Sequence, residues 1–338
     1  MKAGKVGIKQ KLKLTKMRNW TKYLLVLIFP FLGSCYDDYI HDYEYTTIYI
    51  PYQVDVRTFV VGEGMKIKFG AELGGVRNNT DTRKAVFKID PDLISNKTLQ
   101  DMKGSSYPYI KNEMALIDTL RLMPASFYKL SHDNTIEILP GNHTGTIEIT
   151  ADSSAFLSEP GTIKAQYAIP FSLTNVDADR LLEDKKSAVI ALKFENMLYG
   201  NYLHGGVTTV KDPGGNVLKK IVYNTFVSQS ANEIWSLVTS GYNSLTVQRY
   251  SNVNSTRAEI KLQLDGNNIL VGSAEGSTYQ FEADGQSSFN GVRNLQQRKI
   301  LLNYKFTDNE GNTHHAQDTL TFRNRIRDGV NEWQGQGQ

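Results

Sequence analysis

Apolar and polar side chains alternate in short runs through the first half of the chain. Met65-Lys66-Ile67-Lys68-Phe69, Thr135-Ile136-Glu137-Ile138 and Thr146-Ile147-Glu148-Ile149 each repeat with a period of two. That period puts one face in a core and the other in water, as in a half-buried strand. Tyr167-Ala168-Ile169-Pro170-Phe171-Ser172-Leu173 reads as a further strand, and its proline predicts a sheet edge, where a missing N–H costs nothing. Gly141-Asn142 falls between two runs and predicts a hairpin turn. Helical patches are short, one near Leu93 to Met102 and another near Asp177 to Lys185. Many short strands with few helices predict a sandwich.

The second half predicts a meander. Its β-type runs are Lys219 to Tyr223, Glu233 to Val238, Ala258 to Leu264, Thr278 to Glu282, Lys299 to Phe306 and Asp318 to Phe322. Asp212-Pro213-Gly214-Gly215-Asn216, Asp265-Gly266, Asp284-Gly285 and Asp308-Asn309-Glu310-Gly311-Asn312 punctuate them. Sequential strands joined by tight turns predict an up-and-down antiparallel barrel. The fold class is therefore all-β, a sandwich over residues 45–195 followed by a barrel over 198–334, with the boundary near Glu195-Asn196-Met197.

The N-terminus changes the picture. Met1 to Lys22 carries many Lys and Arg and no acid, and the apolar run Tyr23 to Leu32 follows. That run is too short to span a bilayer, which takes about 20 apolar residues. A basic start, a short apolar stretch and small residues at Gly33-Ser34 predict an export signal over 1–34, starting at Met1 or at Met17. Leu32-Gly33-Ser34-Cys35 resembles the bacterial lipobox, which implies lipidation at Cys35, a sole cysteine with no disulfide partner. Without residues 1–34 the chain has 30 basic and 35 acidic residues, so the formal charge moves from +3 to −5. A mildly acidic surface argues against nucleic acid as a partner.

Residues 35–44 form an acidic tether. Asp37 and Asp38 just after Cys35 resemble the surface-export signal of Bacteroidetes lipoproteins, and a plain solvated tether accounts for them equally. The resemblance extends into the sandwich. Phe59-Val60-Val61-Gly62, Phe87-Lys88-Ile89-Asp90, Leu122-Met123-Pro124-Ala125-Ser126-Phe127-Tyr128, Ile136 to Asn142 with Gly145, Tyr167-Ala168-Ile169-Pro170 and Val189-Ile190-Ala191-Leu192 carry it. In order and spacing they resemble an Ig-like domain of unknown function found in Bacteroidetes surface lipoproteins. Tyr199-Gly200-Asn201-Tyr202-Leu203-His204-Gly205-Gly206 is similar to the start of the lipocalin-like domain that follows it in that family. The resemblance implies an outer-membrane lipoprotein facing the cell exterior, beside a SusC/SusD-type transporter, binding a glycan or oligosaccharide rather than cutting it. The related family-18 hydrolases need a (β/α) barrel of about 250 residues, for which there is no room.

No nucleophile elbow, zinc-protease helix or phosphate-cradling glycine loop is present in the sequence. The reading is of a protein with no catalytic residues, no metal and no cofactor. His314 and His315 are adjacent, so in a strand they point to opposite faces and cannot share an ion. Asp308 to Asn312 lacks the closing bidentate Glu of a calcium loop and reads as a turn.

Sugar binding needs aromatic faces with polar groups beside them. Among 18 Tyr and 3 Trp, Trp20 is lost with the signal, which leaves Trp235 and Trp333. Ile234 and Trp235 face opposite sides of a strand, Tyr242 falls at a turn, and Tyr202 and His204 share a face able to line a barrel mouth. Tyr202, His204, Trp235 and Tyr242 are the candidate glycan contacts, with Tyr107-Pro108-Tyr109 as an exposed aromatic group on the first domain. Tyr and Trp are also good strand and core residues, so each has a plain structural reading. Two other classes stay open: a structural or adhesive lipoprotein that binds a protein partner, and a small glycoside hydrolase, whose two carboxylates would converge in a pocket.

Overall fold

The alternating runs become strands of two packed sheets, followed by a closed barrel. The computed structural model describes residues 43–223 and 233–325, so the expected signal, Cys35 and Trp333 lie outside the described residues. The first part contains β1 (Thr47–Tyr49), β2 (Val54–Val61), β3 (Lys66–Gly74), β4 (Arg83–Ile89), β5 (Arg121–Leu122) and β6 (Tyr128–Leu130). It continues with β7 (Thr135–Ile138), β8 (Thr144–Ala151), β9 (Tyr167–Val176), β10 (Arg180–Leu181) and β11 (Ser187–Asn196). One sheet has the order β10-β1-β3-β8-β6 and the other β2-β11-β9-β4-β7, with β5 beside β9. The inner faces meet in an aromatic and aliphatic core, where Phe69 stacks on Phe171 at 4.0 Å and Phe87 meets Phe171 edge-on at 5.5 Å.

The second sheet is covered on both faces. Helices α1 (Asn96–Lys103) and α2 (Pro108–Ala115) lay Leu99, Met102, Ile110 and Met114 over Val56, Ala168, Val189 and Ala191. Ser95 caps α1 by accepting from the Thr98 N–H at 3.1 Å, and Pro108 opens α2, where no N–H is needed. The predicted helix near Leu93 to Met102 is thus α1. The one near Asp177 to Lys185 is instead the short strand β10, which pairs in parallel with β1, and a single 3-10 turn at Glu183–Lys185.

Two other sequence readings are corrected. Gly141-Asn142 does not close a hairpin, because β7 and β8 belong to different sheets; the turn, with Gly141 at φ +81°, carries the chain across the sandwich. Pro170 is not at an edge but in the central strand β9, opposite Val189 of β11. Its carbonyl accepts from Asp90 N at 2.9 Å, so its nitrogen points to the side where β5 ends and β4 begins. The missing donor therefore falls at a seam between two neighbours, and the ladder to β11 is intact.

The second part contains β12 (Gly200–Lys211), β13 (Val217–Tyr223), β14 (Glu233–Gly241), β15 (Ser244–Val247), β16 (Arg249–Tyr250) and β17 (Val253–Asn254). After these come β18 (Ile260–Asp265), β19 (Asn268–Ser273), β20 (Glu282–Ala283), β21 (Ser287–Phe289), β22 (Lys299–Thr307) and β23 (Thr313–Asn324). Strands β12, β14, β15, β18, β19, β21, β22 and β23 pair antiparallel in chain order, and β23 returns to β12. The ring is an eight-stranded up-and-down barrel. The run Thr278 to Glu282 is mostly loop, with β20 at its end. Gly266 at φ +59° turns β18 into β19, as Asp265-Gly266 predicts.

A buried carboxylate pins two barrel loops. Glu259 accepts from Ser255 Oγ at 2.6 Å, Ser277 Oγ at 2.8 Å, Thr278 N at 2.7 Å and Thr278 Oγ1 at 2.9 Å. Burial alone would raise its pKa; the hydroxyl and N–H donors outweigh that and hold it below the ordinary value. A lowered folded-state pKa stabilises fully above the unfolded glutamate value of about 4.3 and loses that contribution as pH falls through the folded value. Glu259→Gln is expected to destabilise at pH 7 and to flatten the stability profile below pH 5, measured by urea unfolding across pH. An unchanged acid limb would contradict this account.

The two parts meet on arginines. Glu63, in the turn between β2 and β3, accepts from Arg298 Nη2 at 3.1 Å and from Arg325 Nη2 at 3.3 Å. Arg298 and Arg325 both donate to the Met197 carbonyl in the link between β11 and β12. Asn196 adds a bond from Nδ2 to the Tyr242 carbonyl at 3.0 Å.

Candidate functional site in the barrel wall

Strand β12 changes neighbours along its length. Gly200 to His204 pairs with β14, whereas Gly206 to Lys211 pairs with β13, so the wall forks near residue 205. Alternation turns Tyr202, His204, Gly206 and Thr208 inward behind this fork. Opposite them β23 turns Ala316, Asp318, Leu320 and Phe322 inward, and Asp318 is the register partner of Gly206. A Cβ at 206 would stand 2.4 Å from the Gln317 carbonyl oxygen and 2.6 Å from Asp318 Oδ1. Glycine there is what allows the carboxylate to approach β12.

A hydrogen-bonded layer surrounds that carboxylate. Tyr304 donates its O–H to Asp318 Oδ2 at 2.7 Å, and the Ser251 N–H donates to the Tyr304 oxygen at 2.5 Å. Thr208 Oγ1 lies 2.6 Å from Ser251 Oγ and 2.5 Å from the Tyr223 hydroxyl. Ser251 adopts φ +50°, a strained conformation for a side chain with a Cβ, held by these buried bonds. Burial first, and then the Asp318 charge, push the Tyr304 and Tyr223 pKa values up, so both stay protonated donors.

His204 lies at the centre of the fork. Its ring stacks between Trp235 at 4.3 Å and Tyr223 at 5.0 Å. Its Nε2 lies 3.2 Å from Asp318 Oδ1 without hydrogen-bond alignment, and its Nδ1 lies 3.9 Å from Glu233 Oε2. Glu233 in turn contacts Arg249 Nη1 at 3.5 Å, and its side chain is 40% exposed, which marks the outer side of the fork. His204 Nδ1 and Nε2, Trp235 Nε1 and Asp318 Oδ1 are buried and have no hydrogen-bond partner among the described residues. Buried polar atoms of this kind are rare, because each costs about 1–3 kcal/mol of desolvation if left unpaired.

The structure brings three of the four sequence-predicted residues together and places the fourth elsewhere. Tyr202, His204 and Trp235 are buried inside the wall rather than at an open mouth. Tyr202 donates to the Leu198 carbonyl at 3.0 Å and packs edge-on against Phe322 at 5.6 Å, next to the layer but below it. Tyr242 is 55% exposed in the turn at the far end of β14, beside the junction of the two domains. Tyr107 is exposed and meets Tyr52 edge-on at 6.5 Å, whereas the Tyr109 hydroxyl lies 3.2 Å from Thr58 Oγ1. Asp318, Tyr304, Thr208, Ser251, Tyr223 and Glu233 were not singled out by sequence reasoning. For Asp318 the signal was present, since Ala316, Leu320 and Phe322 share its parity.

The two adjacent histidines take separate partners, His314 on Asp308 at 2.8 Å and His315 on Asp284 at 2.7 Å. Among the described residues, no group of three or more His, Cys, Asp or Glu side chains is placed to hold a metal. No helix of the described residues is long and apolar enough to cross a membrane.

A family model described as an N-terminal domain matches residues 43–180, which takes in the sandwich up to β10. No curated protein matches the chain. Among solved structures, a Bacteroides ovatus protein of unknown function is similar in fold, with a TM-score of 0.62 and 21% identity over 86% of this chain and 97% of its own. An auxiliary nutrient binding protein from Bacteroides thetaiotaomicron aligns over 79% of this chain and 90% of its own, with a TM-score of 0.38 and 14% identity.

Proposed function

We propose that the chain is a lipid-anchored, non-catalytic glycan-binding protein of the cell exterior, in which the sandwich spaces the barrel from the membrane. The observation that carries this reading is the fork in the barrel wall. Asp318 Oδ1, 3.2 Å from His204 Nε2, and the Trp235 indole N–H are buried there without a hydrogen-bond partner among the described residues, beside the stacked rings of Trp235, His204 and Tyr223. A sugar hydroxyl both donates and accepts, so it complements that pair, and the apolar C–H faces of a sugar suit aromatic neighbours. The anchor and the outer-membrane address rest on Leu32-Gly33-Ser34-Cys35 and the acidic residues after it, and a SusC/SusD-type transporter is the proposed neighbour. Weak binding at one site gains strength when many anchored copies share a surface.

Binding is tested by affinity electrophoresis of the soluble chain from Tyr36 against plant, microbial and host polysaccharides. Retardation by at least one glycan, reduced tenfold or more in affinity by Trp235→Phe or Asp318→Asn, is the expected result. Uniform migration on every gel would reject the reading. The anchor is tested separately: labelled palmitate enters the native protein and not Cys35→Ala.

A second reading has its own observation. Strand β13 exposes Val217, Leu218 and Val222 outside the barrel ring. Such residues suit a protein partner, and capture of one partner without glycan, abolished by Val222→Lys, would favour an adhesive role.

A further inference from the structure

Strand β13 lies outside the ring of eight. It pairs with β12 along one edge, and among the described residues no strand pairs with its other edge. It lies against Gly206 to Lys211, the half of β12 away from the link at Met197. The free edge therefore stands at the barrel end remote from the sandwich. A row of N–H and C=O groups open on one side is a template for a further strand.

The side chains of β13 restrict what that strand carries. A bulge at Leu218 leaves Lys219 to Tyr223 as the regular run. Lys219 is opposite Val210 and Lys220 opposite Thr209, so the two lysines point to opposite faces of the sheet. Both are exposed, and neither forms an ion pair among the described residues. Ile221 follows them, and then Val222, which is 68% exposed. An added strand with two successive acidic residues between apolar ones sets one carboxylate beside each ammonium and covers Val222. A second copy of β13 cannot do this. The strand holds no acid, so no register gives its lysines a counter-charge, and antiparallel pairing over its whole length sets Lys220 against Lys220.

We infer that β13 accepts an extended acidic segment of another polypeptide as an added strand, with two successive carboxylates on Lys219 and Lys220. This rests on the protein-partner reading of β13 above, to which it gives a chemistry, and is independent of the glycan reading.

The test is fluorescence anisotropy at low salt with the soluble chain from Tyr36 and a labelled peptide, Thr-Val-Val-Glu-Glu-Val-Val-Thr, whose sequence is the same in either direction. It is expected to bind ten times or more tighter than the same peptide with Lys-Lys at its centre. Lys219→Glu combined with Lys220→Glu is expected to reverse that preference, an outcome that misfolding cannot produce. N-methylation of alternate peptide residues is expected to abolish binding for one set and spare it for the other, because only one set turns its N–H toward β13. Equal affinity for the two peptides, or equal tolerance of the two methylated sets, overturns the inference. So does a dimer of the chain on sedimentation that Val222→Lys dissolves. If the peptides fail while a partner is captured through Val222, the inference falls and the protein-partner reading stands; if neither binds, both fall.

Discussion

Replacing Arg298 by alanine is expected to lower stability by about 3–5 kcal/mol and to separate the melting of the two domains. Arg298 is fully buried and gives its fork of N–H groups to Glu63 at 3.1 Å, Arg293 O at 3.2 Å, Val292 O at 3.4 Å and the Met197 carbonyl. Truncation takes the donor from the Val292 and Arg293 carbonyls, while Glu63 and the Met197 carbonyl keep Arg325, and removing a fully buried guanidinium is far costlier than losing an exposed pair. Glu63 belongs to the sandwich and Arg298 to the barrel, so the same change weakens a junction that Arg325 and Asn196 are left to hold. Scanning calorimetry is expected to show one transition for the native chain and two for Arg298→Ala. Lysine keeps the charge but not the planar fork, so Arg298→Lys is expected to fall between. One unshifted transition for Arg298→Ala would show that the junction does not couple the domains.

Phe171→Ala is expected to cost about 3–5 kcal/mol, the range for emptying a buried aromatic site. The ring stands between the two sheets, stacked on Phe69 at 4.0 Å and edge-on to Phe87 at 5.5 Å. Strand β9 is held by β11 on one side and β4 on the other, which limits how far the backbone can collapse into the cavity. Urea unfolding is expected to show a lower midpoint with an unchanged slope, the sign of lost packing rather than an altered unfolded state. A loss below about 1 kcal/mol would mean the core can close around the gap.

Much of this architecture was legible from alternation and turn chemistry. Lys66 to Phe69 and Thr146 to Ile149 face a core on one side and solvent on the other, so their period of two survives in the structure. The meander was legible because acidic-Gly turns separate its strands. Strand β2 was harder, since α1 and α2 cover the outer face and both parities become buried, whereas the apolar run Ala188 to Phe194 reads as the strand that β11 is. Pro170 misled because local reasoning assigns a lost donor to an edge, whereas a seam inside a sheet serves as well. The site was half legible: shared parity placed Tyr202 and His204 together and set Trp235 apart from Ile234. Nothing local reveals that β12 changes neighbours near residue 205, and the fork is what gathers Asp318, Tyr304 and Ser251 around His204.

The parallel pairing of β2 with β11 has a consequence for how the chain is made. Val54 aligns with Val189, and Val61 with Asn196, so an early strand of the sandwich waits for its last one. During synthesis the sandwich stays incomplete until residue 196 has emerged, and such distant pairing is slow to form. A fragment cut at residue 180 lacks the strand between β2 and β9 and is expected to aggregate through those open edges.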